Sequence, residues 1–280
     1  MTQPKIPKHQ HWVPKFYLTY FATQDSRCTE TPQAWRFDKE SNAFDEKPTS
    51  VRNLCGKRYL YSPKNTDGVR DGGTEDFLRQ IEDQTAREWP TIAEGEADLK
   101  DPRLRNLIAR FVAAMQLRNY TLYTLFNSTI ELANELDPLP KGFVRADGVN
   151  PRNSGEVFIR QLRDGLPKMT DTFLSKTWYV LDAPNDSFVT SDKPVLFLHP
   201  SRMPGPGTPD AIAALPFGPR RVLMMEDNER LPANTYQAAN RRFIQLFSRE
   251  MLRRSHRIII TGRPPADVEL ELEVEASRGQ

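Results

Sequence analysis

A single arginine interrupts the apolar stripe of a long predicted helix. Leu104, Ile108, Phe111, Met115, Leu122 and Leu125 recur at alternating steps of three and four, and Arg118 fills the gap between Met115 and Leu122. Its Cα therefore faces the core, where a guanidinium is costly unless it is paired or reaches a polar cleft. One use of such a group is to clamp a phosphate or carboxylate through two N–H donors; the other is a structural salt bridge. Glu75 and Glu82, seven residues apart on a preceding predicted helix, share one face of it. Glu82 lies beside Leu78 and Ile81, at the buried edge of that face. It reads as a general base or metal ligand near Arg118, or as no more than the arginine's counter-ion.

Two further residues carry chemistry. Asp192 sits in Thr190-Ser191-Asp192-Lys193-Pro194, a polar turn between apolar segments. Asp and Ser close such turns by accepting backbone N–H groups, yet an acid beside a hydroxyl and an ammonium also suits metal binding or activation of water. His11 stands in His11-Trp12-Val13-Pro14, where an imidazole serves as acid, base or ligand, or anchors the chain by bonding a carbonyl. His199 and His256 lack acidic neighbours at ligand spacing, and no HExxH occurs, which argues against zinc. Arg249-x6-His256 has the spacing of a helical ribonuclease dyad resembling the HEPN family, but both residues lie off the Phe243–Phe247 stripe and the pair is set aside. No glycine-rich phosphate loop and no GxSxG elbow is present.

These residues need a scaffold. Residues 1–14 form an arm punctuated by Pro4, Pro7 and Pro14, and residues 34–38 alternate with period two before 39–43 turn, as in a short hairpin. Thr74 caps a helix that should run to about Trp89, where Pro90 breaks or kinks it. Asp101-Pro102 opens the long helix, which should run to about Leu136, and a third helix falls within 153–175. Strands are expected at 177–181, 188–190, 195–198, 221–225 and 258–260, with a loop at Pro204–Pro209 and a helix over 234–254. Helices fill residues 74–175 and strands most of 176–275, which predicts a single α+β domain over 1–280, its helical layer packed on a largely antiparallel sheet.

Composition sets limits. Thirty-nine basic against 37 acidic residues leave a net charge of +2, too balanced to indicate a nucleic-acid or membrane partner on electrostatic grounds. Nucleic acid stays admissible as a partner; a membrane does not, because no apolar run approaches a span. Two cysteines, Cys28 and Cys55, without CxxC spacing exclude a disulfide scaffold and point to a reducing, cytoplasmic compartment.

The ordered set His11-x-x-Pro14 with Leu18 and Phe21, Arg58-Tyr59-Leu60-Tyr61, Glu75 to Glu82, Gln116-Leu117-Arg118, Ser191-Asp192-x-Pro194 and Leu215-Pro216 resembles the bacterial family catalogued as domain of unknown function 4238. The resemblance covers nearly the whole chain and implies no activity, since none is assigned to that family. One departure is Leu215-Pro216-Phe217-Gly218-Pro219, where the family tends to place a serine before the second proline.

Two functions are expected. The first is a phosphodiester hydrolase, nuclease-like, of the kind a toxin or phage-defence system uses. His11 or Glu82 would be its base, Asp192 a ligand for a divalent metal and Arg118 the phosphate clamp. The second is a non-catalytic binding module in which His11, Glu82, Arg118 and Asp192 form a buried structural network. Convergence of all four in one open cleft favours the first; sequestration of Arg118 with Glu82 favours the second.

Overall fold

The computed structural model describes residues 6–62, 64, 68–70, 72–135, 154–199, 205, 207–228 and 230–272. Strand β1 (His9–His11) and helix α1 (Lys15–Thr19) come first, then β2 (Gln33–Asp38), β3 (Ala43–Phe44), β4 (Thr49–Ser50), a 3-10 turn at Val51–Asn53 and β5 (Gly56–Arg58). Four helices follow: α2 (Gly73–Glu94), α3 (Pro102–Leu117), α4 (Tyr120–Glu135) and α5 (Ser154–Leu174). The remainder is β6 (Thr177–Asp182), β7 (Thr190–Ser191), β8 (Leu196–Leu198), β9 (Ile212–Gly218), β10 (Arg221–Glu226), β11 (Thr235–Ala238), α6 (Arg241–Arg254), β12 (Ile258–Thr261) and α7 (Pro265–Leu272). The fold is α+β.

The expected single sheet is three among the described residues. One runs β11-β6-β10-β9-β8, antiparallel except for the parallel β11–β6 pair. A second runs β3-β2-β12-β7, with β4 also pairing β2, and the third is the two-stranded β1-β5. The last one ties the N-terminal arm to the body, pairing Gln10 with Lys57 and His11 with Gly56. Gly56 lets the exposed His9 ring fold close over this pair: a Cβ there would lie 2.1 Å from the ring and make it swing away. Beyond β1, Tyr17, Leu18 and Phe21 enter the core, where Tyr17 meets Trp89 and Phe111 and Trp89 meets Phe217.

Three helices depart from the sequence reading. The long helix is two helices, broken at Arg118 and Asn119. The Asn119 Oδ1 accepts the Leu122 N–H at 3.0 Å and its Nδ2 donates to the Gln116 carbonyl, so one side chain ends α3 and caps α4. Pro90 does not end α2, which runs on to Glu94 and stops at Gly95 (φ 78°). Pro90 is exposed, so the carbonyl it leaves without an N–H faces water, while Trp89 and Ile92 bury the opposite side. That helix begins at Gly73, leaving Thr74 inside it rather than at its cap. Finally, residues 235–238 are strand, not helix. Asn234 takes φ 57°, and Asn240 caps α6 by accepting the Phe243 N–H at 2.8 Å. Leu136, the expected end of the long helix, and Pro204 and Pro206 of the expected loop lie outside the described residues.

Candidate ligand-binding cleft

Asp192 follows β7 and turns its carboxylate onto the chain entering β12. Oδ1 accepts the His256 N–H at 2.9 Å; Oδ2 accepts those of Arg257 and Ile258 at 2.8 and 3.1 Å. Its own carbonyl accepts the Trp12 indole N–H at 3.0 Å. The residue is 2% exposed, and burial pushes its carboxyl up while the three N–H donors pull it back. A carboxylate so committed is a clamp on backbone. Three peptide N–H groups on its two oxygens favour the turn-closing reading of Asp192 over the metal-ligand one. Among the described residues, no three His, Cys, Asp or Glu side chains are grouped to hold a metal ion.

The Arg118 side chain is 1% exposed and its Nη1 donates to Glu82 at 2.5 Å. The break between α3 and α4 also frees the Arg118 carbonyl, which accepts the buried Tyr61 hydroxyl at 3.4 Å. Glu75, on the same face of α2 as Glu82, has its carboxyl held up at about 7, chiefly by burial and then by the charge of Glu82. His11 Nε2 donates to the Arg52 carbonyl at 3.0 Å. Burial drives its pKa down to about 4, with the charges of His9, Lys15 and Arg118 adding to the effect. A ring so placed is neutral at neutral pH and a weak base, an anchor by geometry. Of the four residues expected to converge, only Glu82 and Arg118 bond to each other.

What lies in the open is a different set. A cleft of about 510 Å³ is walled by Trp12, Cys55, Lys57, Tyr120 and His256, with Asp192 in its floor. The rings of Trp12 and Tyr120 stack at 4.8 Å and 28°; Tyr123 continues the stack at 5.6 Å from Tyr120. His256 stands edge-on to Tyr120 at 5.3 Å, its Nδ1 3.5 Å from the Thr121 hydroxyl. The Lys57 ammonium lies 4.9 Å from the Tyr123 ring centre and 5.4 Å from that of Tyr120, with no carboxylate partner among the described residues. Arg36 and Arg257 line the same cleft but are neutralised, the first by Asp45 and the second by Asp38 and Glu40. Cys55 is buried, and burial, with the charge of Asp192, raises its thiol well above the usual range. It is a neutral wall, not a nucleophile.

Sequence reasoning gave Trp12 no role of its own and set His256 aside for want of nearby acids. Their partners come from distant segments: Tyr120 from the start of α4, Lys57 from β5. The only local signal was the Asn119 cap, which fixes where Tyr120 emerges.

A family model described as a protein of unknown function, DUF4238, matches residues 9–264. The chain belongs to this family. No curated protein and no solved structure matches it. The DUF4238 match spans β1 through β12, and so includes every wall of the cleft as well as Glu82 and Arg118. No helix among the described residues is long and apolar enough to cross a membrane.

The cysteines give a simple check of this geometry. Cys28 is exposed and Cys55 buried, both unpaired. A disulfide reagent should therefore modify one thiol at once and the second only as the protein unfolds. Two equally fast thiols would show that the cleft wall is open to solvent behind Cys55.

Proposed function

We propose that the protein is a binding module whose cleft takes a nucleotide or the exposed end of a nucleic-acid strand. The observation that carries this reading is the stacked Trp12–Tyr120–Tyr123 surface beside Lys57, a cation without a carboxylate partner among the described residues. Aromatic faces stack on bases of any sequence, and an adjacent ammonium attracts their phosphate. The overall charge balance does not oppose it, because the attraction is local to the cleft. In this reading Asp192 and His11 hold the walls in place: one fixes the turn into β12, the other anchors β1 to the Arg52 carbonyl. Two free thiols suit a reducing compartment, and the cytoplasm is the proposed location.

Hydrolysis of a phosphodiester held in the cleft is the second reading, and one observation favours it: His256 is exposed on the same wall. An imidazole there would act as general acid or base on the bound phosphate. Fluorescence anisotropy with a labelled single-stranded oligonucleotide separates the possibilities. Wild type should bind, and Lys57→Ala and Tyr120→Ala should each weaken binding by about tenfold, toward the lower end of the ~1–3 kcal/mol measured for a stacked base. Absence of wild-type binding to both DNA and RNA would end the reading. If the strand is also cut, His256→Ala should abolish cutting and leave binding near wild type.

A further inference from the structure

Glu82 satisfies only one of the three guanidinium nitrogens of Arg118. Nε and Nη2 are also buried, and neither has a partner among the described residues. These two nitrogens make one edge of the group: two parallel N–H donors whose spacing matches two oxygens of a carboxylate or of a tetrahedral oxyanion. Leaving buried charged donors unpaired is costly, so an edge of this kind calls for an acceptor. We propose that the Nε–Nη2 edge of Arg118 is a receptor for one oxyanion, a carboxylate or a phosphate-type group bound side-on behind the Glu82 ion pair. This site is separate from the cleft, since neither Glu75, Glu82 nor Arg118 lines it, and does not depend on what the cleft binds.

The charges around Arg118 say what must accompany such a ligand. Among the described residues, four titratable groups feel its charge: Glu75 and Glu82 from α2, Tyr61, and His11 of β1. His11, with its pKa near 4, and the buried Tyr61, pushed up from its usual value, are both neutral at neutral pH. Glu82 is already engaged in the ion pair with Nη1. An entering anion therefore places a second or third negative charge beside one cation, and Glu75, at about 7, is the group able to yield. Protonated, it removes a repulsion and offers an O–H donor. Anion binding is thus coupled to uptake of one proton on Glu75.

The test is a titration of the full-length protein with sodium sulfate and with sodium acetate, against sodium chloride at matched ionic strength, reading the side-chain Nε–H resonance of Arg118. Both probe anions keep their charge across the range used, and comparing them tells a tetrahedral oxyanion from a carboxylate. The resonance is assigned by its loss in Arg118→Lys or, should that variant not fold, by its displacement in Glu82→Gln. The resonance should move saturably with sulfate or acetate and not with chloride. The apparent affinity should rise by up to about tenfold from roughly pH 8 to roughly pH 6, and that dependence should vanish in Glu75→Gln. A resonance that responds no more to sulfate or acetate than to chloride would mean that the edge holds water alone, overturning the proposal. An unchanged pH dependence in Glu75→Gln would overturn the proton coupling.

Discussion

Deleting residues 1–21 should leave a chain that does not fold. The segment includes Val13, Tyr17, Leu18 and Phe21, each at most 1% exposed. A large apolar side chain contributes about 1.5–3 kcal/mol when fully buried, so these four alone amount to roughly 6–12 kcal/mol. Whole domains are stable by only about 5–15 kcal/mol. The deletion also strips β1 from β5, the Tyr17–Thr190 hydroxyl bond of 2.8 Å and the Trp12 bond to Asp192. Near-ultraviolet circular dichroism should show no fixed aromatic packing and thermal unfolding should lose its cooperativity. A truncated chain that melts like the full one would refute the assignment of the arm to the core.

Asp192→Asn should destabilise the fold by about 2–4 kcal/mol, although it preserves shape and adds no bulk. A residue that merely closes a turn through one acceptor would tolerate the amide. Here both carboxylate oxygens accept backbone N–H groups, from His256 on one side and from Arg257 and Ile258 on the other. Whichever way the amide is turned, its NH2 faces at least one N–H, donor against donor in a buried place. Denaturant unfolding at neutral pH measures the loss. A variant as stable as wild type would show that Asp192 is not the clamp that fixes the entry to β12.

Local patterns were readable from the chain where one segment decides the outcome. Asp101-Pro102 opens α3, with the aspartate accepting the Arg103 N–H at 2.8 Å, and the apolar stripe correctly turned Arg118 inward. Glu82 could be named as its partner because position along a helix fixes which side chains share a face. Asn119 could not be weighed in the same way: the 3.6-residue period runs through it, and only the tertiary fold decides that its side chain caps a new helix. Nor could the cleft be assembled in advance. Its walls come from the turn after β1, from β5, the start of α4 and the turn before β12, and no periodicity within a segment encodes which segments meet. Its polar turn between apolar segments singled out Asp192, but the three N–H donors it serves lie far along the chain.

The most direct measurement of the central claim, that the Trp12–Tyr120 cleft is where a ligand binds, follows the indole N–H resonances of the four tryptophans during titration with a mononucleotide. Trp12 alone of the four lines the cleft, its indole N–H bonded to the Asp192 carbonyl, while Trp89 and Trp178 are fully buried elsewhere. The Trp12 resonance should shift saturably while those of Trp35, Trp89 and Trp178 hold still, and the response should be lost in Tyr120→Ala. A Trp12 resonance that stays fixed throughout the titration, or that moves equally in Tyr120→Ala, would contradict the claim.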